Sequence, residues 1–384
     1  AGWGDPAEKG VARVMVQPHL ILSCTLFFGV AAPSLLLAQD SPAGATDEDV
    51  NEFFAVEDFE MPSKLTLHGT FDFTYIHFDH SQNLDGFPTD RVTSVEPKLV
   101  LRYEPADEHV FLAEVELDGL EEELELEQLS YQYEPAHETE VGVGIQYIPF
   151  GIERFYNSPA RNPLVDRPSP YRHILPGTYS DLGVFLSTER EWTDDWSLRI
   201  EAALTRSLEG PTRDDRPHPF DAIDQIQPSG RIGISTPYGV SAGVSGLLAR
   251  YEDGAGGHEE LTLTGVDLTF EHGETIVRAE AIFGEVGRAD SLGGDYDRYG
   301  WYVEAYHRFP RLLPWGQAIE TVVRYDDVDM NDSVRDFSDV RRYSFGVNWV
   351  LDESWRMKTE VSISREDGES VANDGRFIQL EYHF

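Results

Sequence analysis

The chain has 384 residues, 40% of them hydrophobic and 12% aromatic, too many for a disordered acidic polymer. Acidic side chains outnumber basic ones 70 to 30, a net charge of −40. A nucleic-acid backbone repels such a surface, which excludes a binder working through phosphate contacts.

Residues 20–38 (LILSCTLFFGVAAPSLLLA) carry no charge; Lys9 and Arg13 precede them and polar Gln39, Asp40 and Ser41 follow. That layout is a secretory signal, so residues 1–38 are expected to be a signal peptide with an upstream extension. Pro33 and the lack of a positive flank downstream disfavour a spanning helix of about 20 residues. Cys24, the only cysteine, lies inside this segment, so the exported chain has no disulfide to form. Residues 39–63 follow with eight carboxylates and no base. They read as an acidic periplasmic leader, in which Thr46 and Asp49 could cap a short helix.

From Lys64 onward the pattern has period two. Leu65, Leu67, Phe71, Phe73 and Tyr75 alternate with Lys64, Thr66, His68, Thr70, Asp72 and Thr74. The alternation recurs in runs such as Phe111-Ala113-Val115-Leu117, Leu198-Ile200-Ala202-Leu204 and Tyr343-Phe345-Val347-Trp349. One face is apolar and the other polar or charged, the mark of strands with two different surroundings. The runs reach about ten residues, long enough to cross a bilayer when tilted. Seven short turns alternate with eight mostly longer polar loops, fifteen connections that imply sixteen strands. The expected fold is all-β, a transmembrane antiparallel β-barrel over residues 64–384. Its long third loop should fold into the lumen. The alternation slips at Leu126–Leu129 and at Gly265–Val266, where a bulge is expected. Tyr75, Tyr133, Tyr147, Trp192, Trp196, Trp301, Trp315, Trp349 and Trp355 lie near segment ends, where interfacial aromatic girdles would need them.

Several motifs lead nowhere. Gly239-Val-Ser241-Ala-Gly243 matches the nucleophile elbow but opens a strand with no helix after it. Asp327, Asp329 and Asn331 begin like a calcium loop, yet Asp332 stands where glycine belongs and Ser338 where the closing glutamate belongs. No metal, cofactor or enzymatic activity is expected. An acidic external loop could instead bridge lipopolysaccharide phosphates through divalent cations.

The third loop, residues 149–180, is the informative segment. Arg154, Arg161, Arg167 and Arg172 stand against Glu153 and Asp166, a positive excess within an acidic chain, and six prolines stiffen it. Guanidinium groups on a stiff inward loop would make a basic constriction suited to carboxylates and phosphates. Strand parity also turns Arg102, Arg199, Arg231, Arg278, Arg324 and Arg342 toward the lumen, with Glu114, Glu116 and Glu125 among the facing acids.

Residues 146–154 (QYIPFGIER), Asp166-Arg167-Pro168 and residues 179–184 (YSDLGV) together resemble the phosphate-selective porin O and P family. The terminal Phe384 is similar to the assembly signal of outer-membrane barrels. The resemblance implies a sixteen-stranded trimeric porin with a basic constriction in the bacterial outer membrane. This chain departs from the family in having only Lys9, Lys64, Lys98 and Lys358 as lysines, so arginine must supply the pore's positive charge. The function expected is passive diffusion of small hydrophilic solutes, with anions preferred. The partners expected are outer-membrane lipid, lipopolysaccharide and two further copies of the chain. The alternative is a non-channel barrel acting as an adhesin or structural protein. A TonB-dependent transporter would need a plug and about 22 strands, more chain than is present.

Overall fold

The computed structural model describes residues 64–78, 91–118, 123–136, 138–156, 161–175, 179–193, 196–208, 210, 225–252, 258–288, 293–310, 317–334, 339–366 and 374–384. The expected signal peptide and acidic leader lie outside the described residues.

Sixteen strands follow one another around a closed barrel. The first half comprises β1 (Lys64–Phe78), β2 (Arg91–Ala106), β3 (His109–Asp118), β4 (Glu123–Ala136), β5 (Thr139–Tyr147), β6 (Ser180–Thr193), β7 (Trp196–Arg206) and β8 (Ile226–Ser235). The second half comprises β9 (Val240–Glu252), β10 (His258–His272), β11 (Thr275–Val286), β12 (Tyr296–Phe309), β13 (Ala318–Asp329), β14 (Val340–Val350), β15 (Trp355–Glu366) and β16 (Gly375–His383). Every neighbouring pair is antiparallel, and β1 closes on β16 from Thr70↔His383 to Phe78↔Gly375. Closure removes the sheet edges that hydrocarbon could not satisfy. Phe384 completes the seam. Its amide and carbonyl exchange hydrogen bonds with Gly69, each 3.1 Å, and its ring lies over Gly69 where a Cβ would stand.

Parity sorts the side chains as expected. Leu65, Phe71, Val143, Val184, Ile232, Val266, Tyr343 and Phe345 are exposed outward, while Asp72, Lys98, Glu304, Glu320 and Lys358 are buried inward. Such an exterior is solvated by lipid rather than water. Aromatic side chains gather in two belts. Tyr103, Phe111, Tyr131, Tyr133 and His109 pack together near the short turns. Trp301, Tyr325 and Tyr343 pack nearer the long loops. Trp192 and Trp355 are exposed, as a girdle requires. Tyr147 departs from the expectation: it turns inward and donates to Glu114 Oε1 at 2.9 Å. Trp315 lies outside the described residues.

One expected bulge is present. Glu114 pairs with Gln128 and Val115 with Leu126, leaving Glu127 as the extra residue. The other is absent. β10 pairs in continuous register with β9 and β11 through Gly265 and Val266. Leu261 and Leu263 point inward, and the slip in hydrophobicity marks an apolar cluster inside the barrel.

Candidate functional site: the lumen and its third loop

The third loop enters the barrel and crosses the inner faces of β7 to β15. Its described parts hold a short 3-10 turn, Glu153–Tyr156, and helix α1, Ser169–His173. Pro168 and Pro170 favour the helix start, since proline sits well where amides lack intrahelical acceptors.

Apolar contacts seat the loop. Ile148, Phe150, Tyr171, Ile174 and Leu175 join Leu247, Leu261, Leu263, Ile282 and Tyr302 of the wall in one buried cluster. The wall makes room with inward glycines. A Cβ at Gly265 would stand 3.0 Å from Phe150, one at Gly300 3.0 Å from Ile174, and one at Gly346 2.5 Å from Leu164. These are contacts that real Cβ atoms rarely tolerate, so larger residues there would lift the loop.

Polar clamps then fix it. Gly151 donates its amide to Ser245 Oγ on β9 at 2.9 Å. The amides of Val165 and Asp166 both donate to Glu360 Oε2 on β15, at 2.8 and 2.9 Å. Ser169 donates its amide to Asp326 Oδ1 on β13 at 2.8 Å, and Tyr171 its hydroxyl to Glu280 Oε1 on β11 at 2.5 Å. Arg324 of β13 donates to the carbonyls of Asp166 and Arg167, and Asn348 of β14 to that of Pro163. The loop's main chain therefore finds acceptors and donors on the wall, as buried backbone must.

The arginines of the loop are not equivalent. Arg154 is ion-paired with Glu201 of β7 and stacks 4.4 Å from the Phe155 ring. Burial lowers the Arg154 pKa, against the pull of Glu201. Arg172 is 3.1 Å from Asp166, with its side chain about a quarter open to water. Arg167 presents its carbonyl to Arg324 and Arg342. Arg161 is the exposed one, donating only weakly to the Phe155 carbonyl at 3.4 Å.

Asp166 is the hub. Its carboxylate receives Arg172, Arg342 and the Arg167 amide. Burial opposes its charge, but Arg172, Arg342 and Arg324 outweigh that cost and hold its pKa well below the ordinary carboxylate range. Glu153 is opposite in kind. Burial pushes its pKa up against the nearby Arg278 guanidinium, 3.5 Å away.

The arginines expected on the wall face inward, yet most lie behind the loop rather than open to water. Arg278 bonds Glu304 at 2.7 Å and stacks 4.0 Å from Tyr156. Arg324 binds Asp326 at 3.0 Å, Arg342 binds Asp166, and Arg231 binds Asp267 at 2.7 Å. Arg102 and Arg199 remain about two-fifths exposed beside Glu104 and Glu201. On the other side of the barrel Lys98 bridges Glu114 at 2.7 Å and Glu116 at 2.9 Å. Glu116 and Glu125 are direct partners across β3 and β4. The lumen therefore has an acid-rich sector on β1 to β4 and β16 and an interlocked sector of both signs under the loop.

Parity already turned Glu280 inward, but sequence reasoning missed Asp326 and Glu360, the wall acceptors of the loop's amides. Inward-parity glycines and leucines on β10, β12 and β14 were the available signal.

The two false motifs resolve simply. Ser241 lies in β9, its hydroxyl 2.9 Å from that of Ser235. In the acidic loop Asp329 accepts from the Asn331 amide and Asn331 from Ser333, so those side chains cap their own turn. Among the described residues no three acidic, histidine or cysteine side chains converge as a metal would need.

No family model and no curated protein matches the chain. Solved structures do. The anion-selective porin from Comamonas acidovorans superposes with a TM-score of 0.57 at 10% identity, over 84% of this chain and 100% of that one. The outer-membrane channel DcaP of Acinetobacter baumannii gives 0.56 at 12%, over 84% and 97%. OmpT, an outer-membrane protein of Vibrio cholerae in its trimer form, gives 0.57 at 11%, over 84% and 99%. At these identities the likeness is one of fold. A closed sixteen-strand barrel with an apolar, aromatic-belted exterior is the fold of a bacterial outer-membrane β-barrel protein.

Proposed function

We propose that the chain is a passive channel for small hydrophilic solutes, related to the phosphate-selective porin O and P group and working as a homotrimer without enzymatic activity. One observation carries the reading: a stiff third loop is clamped inside a closed barrel at named wall residues from β7 to β15. A barrel that served only as an adhesin would have no use for a fixed constriction. The motifs of residues 146–184 support the O and P relationship, and the trimer form of the Vibrio cholerae relative supports the trimer. Ser241 supports the non-enzymatic reading, being one of a row of wall hydroxyls. The apolar exterior suits lipid, and acidic outer loops suit lipopolysaccharide bridged by divalent cations.

The solutes proposed are preferentially anions. Arg161 and the part-exposed Arg172, Arg199 and Arg102 are, among the loop and wall arginines expected at the pore, guanidinium groups that water reaches, and a narrow lining outweighs loop charges beyond a Debye length of about 8 Å. A cation preference is the second reading, favoured by Glu114, Glu116 and Glu125 on the facing wall. Reversal potential across a potassium chloride gradient decides between them. Mild anion preference is expected. Replacing Arg154, Arg161, Arg167 and Arg172 with glutamine should shift it toward cations, and Arg161→Gln alone should give more of that shift than Arg154→Gln, because Arg154 is already matched by Glu201. A cation-selective wild type refutes the anion reading. For assembly, the oligomer should resist mild detergent and collapse to single chains on boiling; a monomer in mild detergent counts against the trimer.

A further inference from the structure

A recess of about 270 Å³ lies between the 3-10 turn of the third loop and the short-turn end of β6 to β10. Its back wall has two layers. In the first, Ser197, Ser235, Ser241 and Thr269 are successive register partners on β7, β8, β9 and β10, four hydroxyls in one row. In the second, Arg199, Gly233, Gly243 and Asp267 are partners across the same strands.

The glycine pair makes the hollow. Arg231 lies one layer further in, and its guanidinium folds down across both glycines, held by Asp267 through Nε at 3.0 Å and Nη2 at 2.7 Å. A Cβ at Gly233 would stand 2.7 Å from Arg231 Nη1, and one at Gly243 2.5 Å from Nη2. Ile152, Phe155 and Tyr156 of the loop form an apolar, aromatic roof, and Arg199 sits 5.4 Å from the Phe155 ring. Glu271, exposed at the next inward position of β10 beyond Thr269, stands at the mouth; Glu189, also exposed, is the register partner of Arg199 and lies 3.9 Å from it.

The charges are arranged by depth. Two guanidinium groups and four hydroxyls line the back, where an oxyanion can take charge-assisted hydrogen bonds. The Glu271 carboxylate lines the mouth, and the Glu189 carboxylate flanks Arg199 beside it. Asp267 already matches Arg231, and Arg199 is shared between Glu201 at 3.2 Å and Glu189 at 3.9 Å, so an anion alone would enter past Glu271 toward guanidinium groups that carboxylates already match. A cation alone would be stopped at the mouth and would leave the back wall unused. A solute with both charges about one residue's width apart satisfies both layers.

We infer that this recess is a subsite for a zwitterionic solute of the amino-acid type. The carboxylate faces Arg199, Arg231 and the hydroxyl row, the ammonium faces Glu189 and Glu271, and the side chain lies under Phe155 and Tyr156. The subsite needs the barrel and the docked loop but not conduction, so it can be tested apart from the channel reading.

Isothermal titration calorimetry on the detergent-purified full chain tests it with three ligands of one shape: L-phenylalanine, 3-phenylpropionate without the ammonium, and 2-phenylethylamine without the carboxylate. L-phenylalanine should bind at least tenfold more tightly than either analogue. Arg199→Gln and Glu271→Gln should each weaken it tenfold or more, whereas Arg250→Gln, which breaks only an exposed pair with Glu260, should leave it unchanged. Ser241→Ala removes one hydroxyl at little risk to folding and should weaken binding severalfold. Equal or tighter binding of the propionate would make this an anion site, and of the amine a cation site; either overturns the inference. A folded, heat-modifiable barrel that binds none of the three overturns it as well. Absence of binding in a conducting barrel removes only the subsite, and binding in a non-conducting barrel removes only the channel.

Discussion

Asp166→Asn removes the hub charge of the third loop while keeping its shape. In the wild type the carboxylate meets Arg342, whose side chain is 7% exposed, and Arg172, at 28%. The first pair is buried, and breaking such a pair by removing one partner costs about 3–5 kcal/mol. The second is wetter and contributes at most about 1 kcal/mol. Asparagine retains one acceptor, which favours the lower end, so docking of the loop should weaken by about 3 kcal/mol. At about 1.4 kcal/mol per tenfold, the undocked fraction rises roughly a hundredfold. The ladder of the barrel is untouched, because Asp166 belongs to no strand. Single-channel recording should show added open-channel noise and upward excursions in conductance, while the heat-induced band shift of the barrel stays as in the wild type. A variant as quiet as the wild type, at the same conductance, would refute the clamp.

Three other predictions test separate parts of the structure. Asp166 has a lowered folded pKa, so its contribution is complete above the unfolded value near about 3.9 and is lost only as pH falls through the lower folded one. Glu153 has a raised pKa, so its contribution grows toward acid and is lost as pH rises through the folded value. Channel noise should therefore stay level or fall between about pH 7 and pH 4.5; a rise across that window contradicts both assignments. Gly69→Leu should displace the Phe384 ring from the β1–β16 seam at a cost of about 1–3 kcal/mol and lower the yield of heat-modifiable barrel; an undiminished yield would show that the seam does not need that contact. An epitope inserted after Asp332, in an exposed turn of the β13–β14 loop, should be labelled on intact cells, whereas one in the β14–β15 turn at Glu353 should not, and the reverse pattern would invert the barrel.

The barrel was legible because lipid outside and water inside impose period two on every strand. The strand count, the short and long connections and the bulge at Leu126–Leu129 all follow from that alternation. It misled at Gly265–Val266, where Leu261 and Leu263 face inward to seat Phe150 and its neighbours. Tyr147 misled likewise, since its hydroxyl is taken by Glu114 inside the barrel. Parity also turned the arginines inward correctly but could not say which would be neutralised. Arg342 and Asp166 are 176 residues apart, and Glu360 lies 194 residues from the amide it accepts. Pairings at that range depend on how the loop lies in the closed barrel, and no local spacing encodes it. The Gly233–Gly243 hollow was hidden for the same reason, since two unremarkable strand glycines become opposite partners only in register.

The most direct measurement is the conductance of the full detergent-purified chain in a planar bilayer. Stepwise current increments of uniform size, ohmic at low voltage, are the predicted result for a barrel narrowed by a clamped loop. A folded, heat-modifiable protein that inserts and passes no ions would contradict the channel and leave the adhesin or structural barrel in its place.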